Sequence, residues 1–130
     1  MNTLAGSMRI STSGLAAERF RMDVISTNIA NANSTGVNGK DPYRRREVMI
    51  EGTESGVKIL AITQDQSPFR VEFDPAHPNA DEFGNVKYSN VEPIHEMVNM
   101  LSASRAYEAN IAAFNSAKGM VKAALSIGRI

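Results

Sequence analysis

The sequence predicts an α+β fold in which long N- and C-terminal helices form a coiled-coil-like bundle, with a small β-rich insert between them. Apolar residues recur at alternating three- and four-residue steps near both ends of the 130-residue chain, as they do in helices that pack along a seam. Between these ends, short β-type runs alternate with Gly, Pro and acidic turns. We therefore expect the helices in residues 1–33 and 91–130 to form an assembly core, and residues 34–90 to form the insert.

The first helix is predicted over about residues 3–32. Gly6 and Gly14 lie inside it, and each costs about 1 kcal/mol relative to alanine, so the helix is expected to be marginal on its own. Ser11 and Glu18 are the polar positions of the seam, where a partner helix would be selected rather than merely covered. The whole predicted seam is Met1, Leu4, Met8, Ser11, Leu15, Glu18, Met22, Ile25, Ile29 and Ala32.

The insert is predicted to begin with a loop over residues 33–46, where Asn, Ser, Gly, Asp and Pro collect. Short strands are expected over residues 47–51, 56–64, 68–73 and 84–88. An insert of about 45 residues is near the lower limit for independent stability, so it is expected to rest on the helices or on a neighbour.

The second helix is predicted over about residues 92–127, with Ser89 and Asn90 as candidate caps and Pro93 in its first turn. Its length, on the order of 50 Å at 1.5 Å per residue, exceeds what a domain of this size needs for its own core. Additional apolar residues widen its face and predict contacts with more than one neighbour. The seam is Met100, Ala103, Tyr107, Asn110, Phe114, Ala117, Val121 and Ala124, and the widening residues are Leu101, Ile111 and Leu125.

Charge and composition exclude several classes of protein. The net charge is zero, but residues 1–46 carry +4, residues 47–92 carry −6 and residues 93–130 carry +2, which disfavours a nucleic-acid binder with a continuous basic face. The chain contains no cysteine, so disulfides, thiolate metal sites and cysteine nucleophiles are excluded. Charged residues interrupt the first 30 positions, so a cleaved signal peptide is not expected, and no apolar run approaches the roughly 20 residues of a membrane span.

Few residues are candidates for chemistry. His77 lies between prolines in a turn-rich stretch, where a structural role in the loop is favoured over a metal site with Asp74 and Asp81. His95 is interpreted as a surface or packing residue at the start of the second helix. The run from Arg44 to Arg46 lies beside acidic residues, which favours salt bridges over binding of nucleic acid, phosphate or lipid. No catalytic, cofactor-binding or metal-binding residues are therefore assigned.

The asparagines near the end of the first helix have two interpretations. Asn28, Asn31 and Asn33 suit a helix C-terminus running into a turn, because asparagine tolerates left-handed backbone conformations. Their side-chain amides also suit hydrogen bonds between subunits. The residues alone favour neither interpretation.

Several motifs in order resemble the bacterial flagellar basal-body rod protein family. The N-terminal signature is carried by residues 10–19 (ISTSGLAAER) and 22–33 (MDVISTNIANAN), and the C-terminal one by residues 96–100 (EMVNM) and 102–110 (SASRAYEAN). Within the family, residues 42–45 (PYRR) and 74–81 (DPAHPNAD) resemble the proximal rod proteins of type C. Thr35-Gly36-Val37 lacks the aromatic residue that other axial proteins have there, so residues 36–46 are expected to follow a different path.

The resemblance implies a structural, non-enzymatic subunit of the proximal rod that needs no cofactor and transmits motor torque. Expected partners are other rod proteins and basal-body components, in homo- and hetero-oligomers, and the flagellar type III export apparatus in transit, but no nucleic acid or small-molecule substrate. The expected location is the basal body outside the cytoplasmic membrane, reached without a cleaved signal peptide. The residues expected at the assembly interface are Leu4, Met8, Leu15, Met22, Ile25, Asn28, Ile29, Asn31, Met100, Ala103, Tyr107, Asn110, Phe114 and Val121.

Two alternatives belong to other functional classes. A soluble export adaptor or chaperone built from an antiparallel helical hairpin would be a stable helical monomer or dimer that is absent from basal bodies. A small hydrolase using His77 would lose its activity on the substitution His77→Ala.

Overall fold

The computed structural model describes residues 3–129 and shows two long helices joined by a β-rich insert. Met1, which the predicted seam included, lies outside the described residues. The elements are α1 (Leu4–Ala30), β1 (Arg46–Thr53), β2 (Gly56–Gln64), β3 (Arg70–Phe73), β4 (Asn85–Tyr88) and α2 (Pro93–Ile127). The predicted α+β class is confirmed, and each predicted helix and strand is present with ends that move by at most two residues.

The helix ends follow local side-chain chemistry. The hydroxyl of Thr3 accepts a hydrogen bond of 2.9 Å from the backbone N–H of Gly6, which caps the start of α1. The prediction that Ser89 and Asn90 cap α2 is wrong. The N-cap is Glu92, which makes no side-chain cap bond, and Asn90 instead binds the insert. Pro93 occupies the first turn of α2 as predicted, where its missing N–H costs nothing.

The strands β1 and β2 form a hairpin that lies along α1. Val48 pairs with Ile62 and Ile50 pairs with Ile59, so these four side chains share one face of the hairpin, and Leu60 is the extra residue of a β-bulge. Near the hairpin turn, the hydroxyl of Ser13 on α1 accepts a 3.0 Å hydrogen bond from the N–H of Val57. The insert therefore rests on a helix, which is one of the two supports predicted for it.

The strands β3 and β4 form a second two-stranded antiparallel sheet at the end of the helix pair. The backbone of Ser89, just after β4, donates to the carbonyl of Ser34 (3.0 Å), and Gly36 donates to the carbonyl of Lys87 (2.9 Å). Val86 and Val91 are buried beside this junction, whereas every side chain of β3 is exposed. The sheet is thus anchored through β4, and β3 is its free edge.

The helices are long, but neither crosses a membrane. Within residues 3–129, no helix combines the length and the apolar character that a transmembrane span needs.

Candidate assembly interface

The two helices run antiparallel and touch through small residues. The side chain of Asn28, near the end of α1, bonds Glu96, near the start of α2, while Gly14 lies against Asn110. A Cβ atom added to Gly14 would lie 2.7 Å from Asn110 Oδ1, so the glycine allows the helices to approach closely. The other small buried residues of the contact are Ser11 and Ala17 on α1 and Ala103 and Ala117 on α2.

A buried polar cluster joins the helices to the insert. The carboxylate of Glu96 is fully buried and accepts hydrogen bonds from Arg45 Nε and, at 3.2 Å, from Asn28 Nδ2. Asn28 Nδ2 also donates to the carbonyl of Arg46 (2.9 Å). Asn28 Oδ1 accepts from the hydroxyl of Tyr43 (2.7 Å) and from the N–H of Arg46 (3.1 Å). One amide side chain therefore holds α1, the start of β1 and α2 in fixed register.

Arg45 extends this cluster to the turn that follows β2. Its guanidinium also bonds Glu47 and lies 3.2 Å from Asp65 Oδ2. Asn90 accepts from the backbone N–H of Arg45 (2.7 Å) and donates to the carbonyls of Asp65 (3.0 Å) and Ser67 (3.1 Å). The segment before α2 and the turn after β2 are thereby tied to the same arginine.

The ionisation of the cluster follows from these bonds. Burial acts to lower the pKa of Arg45, but its bonds to Glu96 and Glu47 outweigh burial and raise that pKa above its usual value. Hydrogen bonds from Ser67 hold the pKa of Asp65 below its usual value. Burial raises the pKa of the Tyr43 hydroxyl, which keeps it protonated as a donor to Asn28. Arg45 and Asp65 therefore stay charged, and Tyr43 stays neutral, across the neutral pH range.

The side of α2 that faces away from α1 carries an exposed apolar patch, here called the outer α2 face. It consists of Ile94, Met97, Val98 and Leu101, which recur at three- and four-residue steps and are between 53% and 75% exposed. Glu96 and Ala103, on the opposite side of the same turns, are fully buried. Large apolar side chains grouped on one exposed helix face mark a surface for another protein.

The structure places the predicted interface residues at different depths. Asn28, Ile25 and Ala103 are buried within the single chain, where they hold the helices together. Leu4 is exposed. The remaining residues are half-buried along the helix pair: Met8, Leu15, Met22, Ile29, Asn31, Met100, Tyr107, Asn110, Phe114 and Val121.

The structure also shows which bonds Asn28, Asn31 and the basic residues make within the chain. Asn31 ends α1, and its amide donates to the carbonyl of Thr27 (2.8 Å), as expected for a helix C-terminus, although its backbone is not left-handed. The amide of Asn28 makes four hydrogen bonds within the chain. Arg45 makes salt bridges, as predicted, while Arg44 donates to the carbonyls of Asp65 and Ser67 and packs over the ring of Phe69.

The two histidines make local contacts with neighbouring residues of the chain. His77 Nδ1 accepts a 3.0 Å hydrogen bond from the N–H of Asn79 and therefore organises the turn in which it lies. His95 is exposed, with its Nδ1 atom 3.0 Å from Glu92. Among residues 3–129, no group of three or more potential metal-ligating side chains converges.

Two sequence models of known protein families match this chain, one around each helix. "Flagella basal body rod protein" matches residues 8–36, which contain most of α1, and "Flagellar basal body rod FlgEFG protein C-terminal" matches residues 84–127, which contain β4 and α2. The chain is also 40% identical to the flagellar basal-body rod protein FlgC of Bacillus subtilis, in an alignment covering 95% of this chain and 97% of the relative. The chain belongs to the flagellar basal-body rod protein family.

Other members of the rod protein family also align with this chain over nearly their full length. The chain is 38% identical to the FlgC rod protein of Borreliella burgdorferi (95% of this chain, 97% of the relative). It is 39% identical to that of Salmonella typhimurium (92% and 94%). The resemblance drawn from the sequence motifs is confirmed, including its C-type character. Membership favours a rod function over the export-adaptor and hydrolase alternatives.

The polar cluster is the feature that sequence reasoning missed. Glu96 lies in the first turn of α2, where an acidic side chain suits the positive end of the helix, and its burial was not predicted from the sequence. A signal was present, because Glu96 precedes Met100 by four residues and therefore lies on the same helix face as the predicted seam. Its partner Arg45 lies 51 residues away in the loop, so no local pattern connects the two.

Proposed function

We propose that this chain is a structural, non-enzymatic subunit of the proximal rod of the bacterial flagellar basal body. Family membership and the exposed outer α2 face support the proposal together. The exposed face carries most weight, because a protein that worked as an isolated monomer would gain by covering or replacing four large apolar side chains on one helix face. Other rod proteins and basal-body components are the partners that this surface is proposed to meet, in homo- and hetero-oligomers.

The proposed mechanism is mechanical transmission of motor torque. The cluster of Asn28, Arg45 and Glu96 fixes the insert to both helices, so a twist applied to the insert also turns the helix pair. Apolar faces buried against neighbouring subunits then pass the load on without a flexible linker. The half-buried residues predicted from the sequence are proposed to border these contacts, with residues 1–33 and 91–130 as the assembly core and residues 34–90 as the insert.

The proposed location is the basal body outside the cytoplasmic membrane. We propose that the chain reaches it through the flagellar type III export apparatus without a cleaved signal peptide. The small helix contact supports this route, because the largest buried apolar side chains are only of valine and isoleucine size and a thin core is easily unfolded for passage.

The test is complementation of a strain that lacks the gene. A chain carrying Val98→Asp and Leu101→Asp should fold normally, because both side chains are exposed, but should not restore swimming or enter basal bodies. Ser55→Asp, in the exposed turn of the β1–β2 hairpin, is the matched control and should swim normally. Normal swimming and normal basal-body content of the double variant would contradict the proposal.

A further inference from the structure

The end of β3 and its connection to β4 form an exposed aromatic projection, here called the knob (residues 72–84). Phe73 and Phe83 are 73% and 74% exposed, although phenylalanine side chains are normally covered. Their backbone is held rigidly. Gly84 has φ +81, and a Cβ atom there would lie 2.8 Å from the ring of Phe73, so the turn is built around that ring. Asp81 Oδ1 accepts from the N–H groups of Phe83 and Asn85, both at 2.9 Å.

The knob is also acidic. Residues 72–84 contain Glu72, Asp74, Asp81 and Glu82 and no lysine or arginine. Arg70 offsets Glu72 through a 2.7 Å contact, which leaves the other three carboxylates around the two rings. A partner surface must therefore offer both apolar area and positive charge.

The far end of α2 has these properties. The side chains of residues 109–130 include Lys118, Lys122 and Arg129 and no carboxylate. Lys118, Lys122 and Leu125 follow steps of four and three residues, so they lie on one helix face, and Leu125 and Ile127 are exposed. The register that joins Asn28 to Glu96 and Gly14 to Asn110 places Leu4 level with about residue 120. The last turns of α2 therefore extend past the start of α1.

The two surfaces lie at opposite ends of the molecule. The β3–β4 sheet is anchored beside the end of α1 and the start of α2, whereas Ile127 ends α2 about 50 Å away along the helix axis. One chain cannot bring its knob to its own helix end. Complementary surfaces that face apart on one molecule generate a head-to-tail contact between copies, which extends rather than closes.

We propose that the knob binds the Lys118–Leu125 face of α2 in a second copy of this chain, head to tail. Phe73 and Phe83 cover the exposed apolar side chains of the helix end, while Asp74 and Glu82 face the two lysines. The proposal rests on the proposed rod function and names one of its subunit contacts. Because Glu82 and both lysines are exposed, the contact weakens as salt rises.

Two double variants, each with only one of the two surfaces altered, test this contact in solution. Glu82→Lys with Phe83→Ser alters the knob, and Lys118→Glu with Lys122→Glu alters the helix end. Sedimentation of the wild type at low salt should show concentration-dependent association, and each double variant alone should associate at least about tenfold more weakly. An equimolar mixture should form a 1:1 heterodimer, because one variant keeps an intact helix end and the other an intact knob. Circular dichroism should show unchanged folding of both variants.

The controls separate this contact from other modes of association. Arg105→Glu removes an exposed positive charge from a different face of α2 and should leave association unchanged. A monomeric wild type, or a mixture that forms no heterodimer, would overturn the proposal. If knob variants enter basal bodies and restore swimming, the contact is wrong while the rod function stands. If the wild-type chain is absent from basal bodies, it is the rod function that fails.

Discussion

The guanidinium of Arg45 donates from Nε to the fully buried carboxylate of Glu96, across 51 residues of sequence. This bond connects the loop before β1 to the first turn of α2, and Asn28 adds α1 to the same carboxylate. A buried charge is tolerated only when it is paired and hydrogen-bonded, so the three parts of the fold depend on one another.

Removing Glu96 should therefore loosen the whole molecule. Glu96→Ala leaves Arg45 and Asn28 without their shared acceptor and is expected to lower the free energy of unfolding by about 3 kcal/mol. Glu47→Ala removes a half-exposed partner of the same arginine and should cost less than about 1 kcal/mol. Urea denaturation of both variants makes the comparison, and equal losses would show that Glu96 has no special role.

Gly14 and Gly119 should respond differently to substitution by alanine. Both lie inside helices, where alanine is favoured by about 1 kcal/mol, and a Cβ at Gly119 meets no atom within 4 Å. Gly119→Ala should therefore stabilise the chain by about that amount. At Gly14 the new Cβ displaces the amide of Asn110, which donates to the carbonyl of Ala106, so the gain should be lost or reversed.

A double-mutant cycle identifies the cause at Gly14. Once Asn110→Ala has removed the obstructing side chain, Gly14→Ala should become stabilising, as at Gly119. Thermal unfolding of the single and double variants measures the coupling. Additive effects would mean that Asn110 does not limit the approach of the helices.

The hairpin turn should tolerate no side chain at Gly56. Gly56 has φ +131, and a Cβ there would lie 2.3 Å from Ser13 Oγ, so Gly56→Ala is expected to cost about 2 kcal/mol or more. Gly52→Ala, in the same hairpin with open space around it, should change stability by less than about 0.5 kcal/mol. Similar denaturation midpoints for the two variants would contradict the close approach of Gly56 to Ser13.

Lowering the pH should reduce the free energy of unfolding, partly because Asp65 becomes protonated. Its pKa is lowered in the folded chain from the ordinary 3.8, chiefly by hydrogen bonds from Ser67, so its stabilising effect is complete above that value. The effect is lost as the pH falls through the lower folded pKa. The unfolding free energy should therefore fall more steeply between about pH 5 and pH 2 for the wild type than for Asp65→Asn. Parallel curves would exclude a contribution from Asp65.

The helices could be predicted from the sequence because their signals are local. Apolar residues that recur every three or four positions predicted the ends of α1 and α2 to within two residues. Pro93 marked the start of α2. The same steps identified residues that mostly face the other helix of the same chain, since one apolar stripe looks alike whether it is covered from within or by a neighbour. The outer α2 face was only partly anticipated, through Leu101.

The insert was less predictable because its organisation depends on distant pairs. Asn38 and Gly39 both have positive φ and close a small turn in which Val37 and Lys40 exchange backbone hydrogen bonds. Asn-Gly is a local signal for such a turn, but it was interpreted as part of a longer loop. For the cluster, the spacing to Met100 placed Glu96 on the seam face, but no local signal identified Arg45 as its partner, because burial of a charge depends on which distant segments cover it.

The central claim is that the outer α2 face is covered in assembled basal bodies. Its most direct test is whether this face is protected there from chemical labelling. The chain has no cysteine, so Val98→Cys and Ser55→Cys each introduce a single thiol that a maleimide can label. In the isolated chain both should label at similar rates, because both positions are exposed. In basal bodies purified from swimming cells, the thiol at position 98 should be protected by at least about tenfold relative to the one at position 55. Equal labelling at position 98 before and after assembly would contradict the account.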